Sequence, residues 1–338
     1  MVNAEYAPIV IVTLNRYIHL ERCIKSLLNN NHSSNTDVYV AVDYPPAEKY
    51  QEGYEKVCKL LKSIDCSNFN SFNVVYREKN YGSTINAIDM YLKLFDKYDR
   101  IITLEDDNEL SPNFIDYCNE GLRIYENDES ILAINASSYV WSESGMKNKK
   151  SISTINNVNK RQLIFHAYAI WKEKWQKVYN WCQSYDIIKE SHSLKRMMKL
   201  KHGSRCFFYT YLNNVVCNKK QLPWIGNKIY PIDQVFDFYM LLNDMYVICP
   251  VTSLTKDWGC DGSGENFNKK FENYEDLIAK EIDTQYTFNY RISEPLVIDT
   301  EEIRLHDKYS FNKSKDVLSL WLKYIKIRIK KNDLNEVF

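Results

Sequence analysis

The stretch RIITLEDDNELSPNFIDY, residues 100–117, runs from a short apolar segment into three adjacent carboxylates, Glu105, Asp106 and Asp107. The apolar residues are typical of a buried strand. Adjacent carboxylates repel one another and are costly to remove from water. The stretch therefore indicates either a solvated acidic turn that ends a strand or a site where a divalent cation offsets the negative charge.

Segments with strand and helix patterns alternate on both sides of this stretch. We predict strands over residues 8–14, 37–44, 72–78, 100–106 and 131–139. We predict a first helix that buries a face of five residues, Leu20, Cys23, Ile24, Leu27 and Leu28. Further helices are predicted over residues 47–63 and 84–95, and another is predicted to begin at Pro112 with Ser111 as its N-cap. Such alternation is typical of an α/β fold with a mostly parallel sheet.

Polar side chains follow four of the predicted strands. They are Asn15, Arg16, Asp43, Arg77 and the acidic residues 105–107. Each one alone is more typical of an ordinary loop, but ligands of parallel sheets bind beyond the carboxyl ends of the strands, so together they predict one site. Gly82, in the turn NYGST, would let a ribose or phosphate approach the backbone, although Thr84 is equally compatible with a plain N-cap.

The pattern is less regular after residue 140. Residues 161–181 predict a strand followed by a helix, and His166 in this segment is more typical of a structural residue than of a catalytic one. The glycine-rich segment KDWGCDGSGENF, residues 256–267, is flanked by aromatic residues and predicts a flexible lid. Trp258 in this segment suits either stacking on a sugar ring or ordinary packing.

Composition narrows the class of protein. The 338 residues carry a formal net charge of zero, with 26% charged and 45% hydrophobic residues, as in ordinary soluble proteins. The chain as a whole has no excess of basic residues of the kind that indicates nucleic-acid binding. Nine scattered cysteines without a C-x-x-C motif indicate neither a disulfide framework nor a zinc site. Without a signal peptide or a long apolar window, we expect no transmembrane helix and a reducing, cytoplasmic setting.

Residues 315–331, KDVLSLWLKYIKIRIKK, predict a basic amphipathic helix near the C-terminus. One interpretation is that this helix lies on an anionic membrane surface, which would place the protein at the inner face of the plasma membrane. An equally supported interpretation is a terminal helix that packs on the domain. Binding to phosphate-rich nucleic acid is a weaker third interpretation.

The segment LEDDNELSPNFIDY resembles the Glu-Asp-Asp metal-binding motif of the N-acetylglucosaminyltransferase I family and its bacterial relatives. The opening segment PIVIVTLNRYIHLERCIKSLLNN resembles that family's nucleotide-sugar-binding half, with Asn15–Arg16 after the first strand and Asp43 after the second. Residues 231–267 resemble its acidic segment, Pro-containing strand and donor-ordered loop. The resemblance covers residues 7–270 in patches, and the order of the patches is more specific than the acidic motif alone.

Two regions depart from the family pattern. The eukaryotic enzymes carry two adjacent Asp residues in the acidic segment, whereas this chain reads Ile232–Asp233–Gln234. Residues 140–230 show no clear match apart from AYAIWKEKW, which is similar to the bacterial relatives. Because acceptor contacts usually come from this region, the resemblance does not identify the acceptor.

The resemblance implies a GT-A fold, that is, a mostly parallel nucleotide-sugar-binding sheet with a more irregular acceptor region. Residues 1–140 would form the nucleotide-sugar-binding half, residues 141–300 the acceptor-binding and catalytic half of the same domain, and residues 301–338 an amphipathic tail. The implied activity is metal-dependent, inverting transfer of N-acetylglucosamine or another hexose. The donor would be a nucleotide sugar, with UDP favoured, and the acceptor a glycan or lipid-linked hydroxyl in surface polysaccharide synthesis.

The resemblance also implies roles for particular residues. Asp107 would bind Mn²⁺ or Mg²⁺ directly, and Asp106 and Glu105 would hold the metal-bound water, the ribose or the sugar. Asn15, Arg16 and Asp43 would surround the nucleotide base, with Asp43 accepting a uracil-type N–H. Arg77 and Gly82 would approach the ribose or phosphate.

On the acceptor side, Asp233 is the candidate general base and Asp237, one helical turn later, is its rival. A lid containing Trp258, Gly259, Asp261 and Gly262 would exclude water from the site. Two alternatives remain open from the sequence. One is a non-catalytic carbohydrate-binding or scaffold protein, and the other is a sugar nucleotidyltransferase, which the absence of glycine after the first strand disfavours.

Overall fold

The structure is a computed structural model. It describes residues 5–137, 157–160, 163, 165–184, 224–225, 228–229, 232–250 and 253–264, with single positions at 195, 198, 282, 322, 325 and 326. The helices are α1 (Tyr17–Leu28), α2 (Gln51–Ser63), α3 (Ser83–Phe95), α4 (Phe114–Ile124), α5 (Lys172–Ser184) and α6 (Ile232–Asn243). The strands are β1 (Ile9–Thr13), β2 (Asp37–Val42), β3 (Ser71–Tyr76), β4 (Arg100–Glu105), β5 (Asn108–Leu110), β6 (Ile131–Asn135), β7 (Asn157–Lys160), β8 (Ala167–Trp171), β9 (Trp224–Ile225), β10 (Lys228–Ile229), β11 (Tyr246–Pro250) and β12 (Thr255–Asp257).

One sheet of eight strands organises the described residues, in the order β3-β2-β1-β4-β8-β6-β11-β7. β1 pairs in parallel with both β2 and β4, and β2 pairs in parallel with β3. β8 lies antiparallel between β4 and β6, and β7 lies antiparallel to β11 at the edge. The predicted α/β class with a mostly parallel sheet is confirmed, and strands from both halves of the chain join the same sheet.

Helices cover both faces of this sheet. The first face packs under α3, α5 and α6, which bury residues such as Tyr91, Trp175 and Phe238. The second face packs under α1, α2 and α4, which bury residues such as Ile24, Val57 and Phe114. Because both faces are covered, the central strands are apolar throughout rather than alternating.

Two predicted helix starts are wrong. α4 begins at Phe114 rather than at Pro112, because residues 111–113 form a turn in which the Ser111 carbonyl accepts the Phe114 N–H at 3.1 Å. α3 begins at Ser83, so Thr84 lies inside the helix and is not its N-cap. Gly82 takes that position with a φ of +74°, a conformation that favours glycine.

The predicted C-terminal helix, residues 315–331, lies outside the described residues apart from Leu322, Ile325 and Lys326, which are helical and exposed. The prediction of membrane contact therefore stays a prediction. Among the described residues, no helix is both long enough and apolar enough to cross a bilayer.

Candidate functional site

The acidic motif lies at the carboxyl end of β4, between β1 and β8. The register of β4 with β8 places Leu104 opposite Ala167, so the next residue, Glu105, lies beside His166. The Glu105 N–H donates to the His166 carbonyl at 3.0 Å, and the Asn108 amide donates to the same carbonyl at 3.0 Å. The strand pairing therefore brings a histidine from the second half of the sheet to the acidic motif.

Arg16 offsets part of the acidic charge. Its guanidinium forms ion pairs with Asp106 and with Asp107, the latter at 2.8 Å between Nη1 and Oδ2. The Thr13 hydroxyl donates to the other oxygen of Asp106 at 2.6 Å. Although burial opposes the charge on Arg16, the neighbouring carboxylates raise its pKa. The sequence offers a metal ion as the group that would offset the acidic charge, whereas the structure shows that Arg16 offsets part of this charge.

Glu105, Asp107 and His166 form a group that could hold a metal ion, because one potential ligand atom from each lies within 4.8 Å of the others. Burial, followed by the charge of Glu105, raises the pKa of Asp107 to about 7. Burial opposes the charged form of His166, but the carboxylates of Glu105, Asp257 and Asp107 raise its pKa to about 10. The structure thus groups Asp107 with Glu105, while both oxygens of the other predicted metal residue, Asp106, are already engaged.

The end of β12 and the segment after it close over these residues, and we call Glu105, Asp106, Asp107, His166 and Asp257 together the acidic group. β12 pairs antiparallel with β5, and the Trp258 N–H donates to the Asp107 carbonyl at 3.0 Å. Asp257 accepts the Gly259 N–H at 2.7 Å. A Cβ atom at Gly259 would collide with the Asp107 carboxylate and lie 2.9 Å from its Cγ. Only glycine therefore fits between this turn and the acidic motif.

Side chains of α1 hold the predicted lid in place. The Arg22 guanidinium lies 3.9 Å from the centroid of the Trp258 ring, and Trp258 Nε1 donates to Glu109 at 2.9 Å. His19 Nε2 lies 3.1 Å from an Asp261 carboxylate oxygen. Gly262 ends the turn with a φ of +93°. One face of Trp258 is thus covered by Arg22, and the described part of the lid is tethered.

Replacing Gly259 by alanine is expected to weaken Mn²⁺ binding about tenfold, because the new methyl group must displace the Asp107 carboxylate. Calorimetric titration of Mn²⁺ would measure the change. Gly121→Ala is a useful comparison, since its Cβ would instead meet the Ile134 side chain in the core. Equal Mn²⁺ affinities of the Gly259 variant and the natural protein would contradict the expected displacement.

Asp43 lies at the end of β2, as predicted, and is buried. Its carboxylate accepts the N–H groups of Tyr44, Tyr81 and Gly82 at 2.8–2.9 Å and the Asn80 amide at 3.2 Å. A carboxylate offers about four acceptor positions. Asp43 therefore holds the turn before α3, and a nucleotide base could bond to it only by displacing one of these donors.

Arg77 and Asn15 also have structural contacts. The buried Arg77 guanidinium donates to the Asn86 side chain at 2.8 Å and pairs with Asp89 at 2.5 Å. The backbone and Cβ of Asn15 pack against Gly53, where an added Cβ would lie 2.9 Å from the Asn15 Cβ. At Gly82 no described atom lies within 4 Å of the position of an added Cβ, so the backbone there borders open space.

The two candidate bases lie on α6. Asp233 is in its first turn, and its side chain is outside the described residues. Asp237 is buried, and its carboxylate accepts the Leu163 N–H at 2.8 Å. The structure thus gives the rival base a structural contact.

Two residues of the acidic group are not recognisable from the sequence as site residues. The sequence predicts a structural role for His166, and no pattern distinguishes Asp257. His166 directly precedes β8 and Asp257 ends β12, and the partners of these short strands cannot be predicted from local sequence patterns. The only sequence signals are a histidine directly before an apolar strand and an acid directly before Trp258–Gly259.

The ion pair between Glu105 and His166 predicts a pH dependence of stability. Since the pKa of His166 is raised from 6.5 to about 10 on folding, its contribution is complete below pH 6.5 and is lost as the pH rises through about 10. In metal-free protein, the difference in unfolding free energy between the natural protein and His166→Gln should therefore shrink over this range. Urea denaturation at several pH values would measure it, and a constant difference would contradict the assignment.

Comparisons with known proteins agree with the sequence resemblance. The GNT-I family model matches residues 2–185. The alpha-1,3-mannosyl-glycoprotein 2-beta-N-acetylglucosaminyltransferase of Arabidopsis thaliana is 24% identical over 269 residues, which are 64% of this chain and 53% of that protein. The chain thus spans about half the length of this curated relative.

Several solved structures are also similar. S. aureus TarS matches with a TM-score of 0.34 and 11% identity, over 51% of this chain and 29% of that one. The mannosyltransferase PcManGT from Pyrobaculum calidifontis, in complex with GDP-Man and Mn²⁺, matches with a TM-score of 0.35 and 7% identity, over 70% of this chain and 69% of that one.

The family match covers more than half of the 338 residues. Together with the observed sheet, it confirms the predicted α/β fold of GT-A type. The chain belongs to the GNT-I family, the family that its acidic motif and the order of its segments resemble.

Proposed function

We propose that this protein is a metal-dependent glycosyltransferase that moves a sugar from a nucleotide donor, with a UDP-sugar expected, to an acceptor hydroxyl. The observation that carries the proposal is the meeting of Glu105, Asp107 and His166 at the carboxyl end of β4 in a member of the GNT-I family. A non-catalytic scaffold would have no need for a group of this kind.

The residues present fit a divalent cation. The site gathers four carboxylates and two basic side chains: Glu105, Asp106, Asp107 and Asp257 with Arg16 and His166. With the four carboxylates ionised and Arg16 charged, the group carries a net negative charge whether or not His166 is protonated, and a divalent cation would offset it. Carboxylate oxygens suit Mn²⁺ and Mg²⁺, and Asp107 and Glu105 would hold the ion. When bound, the cation would offset the charge that develops on the diphosphate leaving group.

The first two strands and α3 would supply the nucleotide site. Arg16 keeps the two Asp side chains of the motif in place through its ion pairs. Asp43 orders the turn at residues 80–82, and the open space beside Gly82 would admit a ribose or phosphate near the N-terminus of α3. Asn15 and Arg77 would lie at the border of this nucleotide site.

Asp233 is the proposed general base. It would accept the proton of the acceptor hydroxyl while that oxygen attacks the anomeric carbon, and a single displacement of this kind inverts the anomeric centre. The first turn of α6 would keep its carboxylate ionised. The engagement of Asp237 by Leu163 supports Asp233 over its rival.

The name of the Arabidopsis relative supports N-acetylglucosamine as the transferred sugar. We propose a glycan or lipid-linked acceptor, in keeping with a role in surface polysaccharide synthesis. Trp258, Gly259, Asp261 and Gly262 would border the donor and exclude water.

The release of UDP tests the proposed activity. The protein would be incubated with UDP-N-acetylglucosamine, UDP-glucose and UDP-galactose, each with and without Mn²⁺, and free UDP would be measured over time. We expect Mn²⁺-dependent release from one of these donors, through slow hydrolysis in the absence of acceptor. Release that is independent of metal would contradict the proposed mechanism.

A further inference from the structure

We propose that the His166 imidazole is a third protein ligand of the cation, beside Glu105 and Asp107, and that it makes the site selective for Mn²⁺ over Mg²⁺. This inference rests on the proposed function, because it concerns the same cation. It goes beyond the acidic motif, since His166 directly precedes β8 and lies 61 positions from Glu105 along the chain.

The spacing of the three side chains suits a shared ion. Their potential ligand atoms all lie within 4.8 Å of one another. Two ligands on opposite sides of an octahedral ion, each bound at about 2.1 Å, lie about 4.2 Å apart. Small side-chain rotations would therefore bring the three groups onto one ion without a change in the backbone.

The backbone and the second ring nitrogen of His166 are already positioned for this role. Its carbonyl accepts the N–H of Glu105 and the amide of Asn108, each at 3.0 Å, which fixes the residue at the end of β4. Nδ1 lies 3.0 Å from Glu105, and Nε2 lies 3.8 Å from Asp257. An imidazole that binds a metal through one nitrogen usually directs the other toward a carboxylate, as Nε2 does here.

An imidazole ligand changes the order of metal affinities. Mg²⁺ prefers oxygen ligands and keeps several of its waters. Among the first-row transition ions, Co²⁺ binds nitrogen ligands with higher affinity than Mn²⁺ does. A site made of two carboxylates and one imidazole should therefore bind Co²⁺ most tightly, Mn²⁺ next and Mg²⁺ most weakly.

Pulsed electron paramagnetic resonance of Mn²⁺ bound to the full chain tests the inference directly. A coordinated imidazole gives a ¹⁴N coupling, and growth with ¹⁵N-histidine should replace it by a ¹⁵N coupling in the unmodified protein. We expect His166→Gln to lose the coupling and to weaken Mn²⁺ binding at least tenfold. Loss of a group that supports a metal site usually weakens metal binding about 10–100-fold. We expect His19→Gln, which changes the histidine that contacts Asp261, to retain the coupling.

The outcomes separate this inference from the proposed function. Bound Mn²⁺ without nitrogen coupling, or a coupling that persists in His166→Gln, would overturn His166 as a ligand and leave the metal-dependent activity standing. A failure of Mn²⁺ to bind at all would overturn both. The isotope experiment needs no variant, so the absence of a histidine ¹⁵N coupling would overturn the inference even where His166→Gln does not fold.

Discussion

Asp107→Asn is expected to lower the rate of UDP release at least a hundredfold, which corresponds to about 2.7 kcal/mol of transition-state free energy. Asp107 is buried, pairs with Arg16 and lies within the proposed metal group. Asparagine has nearly the same shape but lacks the negative charge, so the variant would weaken the hold on the cation while preserving the packing. Initial rates at saturating donor, over a series of Mn²⁺ concentrations, would measure the loss.

Asp116→Asn is the matched control for this variant. Asp116 is partly exposed on α4, pairs with His32 and lies outside the acidic group, so its loss should leave the rate within about twofold. Similar rates for Asp107→Asn and the natural protein would remove Asp107 from the mechanism.

Asp43→Ala is expected to lower the free energy of unfolding by about 3–5 kcal/mol in the absence of nucleotide. The variant would remove the shared acceptor of three backbone N–H groups and one side-chain amide, and hydrogen bonds to a charged group contribute about 1.5–3 kcal/mol each. Partial rehydration of the turn would keep the loss below the full sum. Urea denaturation of the nucleotide-free protein would measure it.

Asp65→Ala is the control, because Asp65 accepts the Ser67 N–H in an exposed turn and its loss should leave the free energy of unfolding nearly unchanged. A loss of UDP affinity in Asp43→Ala without a change in stability would contradict the structural role. That result would instead favour direct contact of Asp43 with the base, as the family resemblance implies.

The sequence carries enough information for the sheet and for the edge at which the site lies. Apolar runs alternate with amphipathic helices, and polar residues such as Arg16 and Asp107 stand where the strands end. Both signals are local, so they can be read without knowing which strands are neighbours.

The composition of the acidic group could not be predicted in the same way. It depends on the antiparallel insertion of β8 beside β4, which brings His166 to Glu105 across 61 positions of the chain. It also depends on the pairing of β12 with β5, which brings Asp257 and Gly259 to Asp107. Such long-range pairings leave no periodic pattern in a single sequence, and the same is true of the ion pairs that Arg16 makes.

The Mn²⁺ dependence of nucleotide binding tests the central claim most directly. The melting temperature would be measured with UDP, GDP, dTDP and CMP, each with and without Mn²⁺. A ligand that binds only the folded protein stabilises it by about 2.7 kcal/mol at a hundredfold excess over Kd. We predict a shift with UDP that requires Mn²⁺ and disappears in Asp107→Asn. The absence of a shift with every nucleotide, in protein shown to be folded, would contradict the proposed glycosyltransferase function.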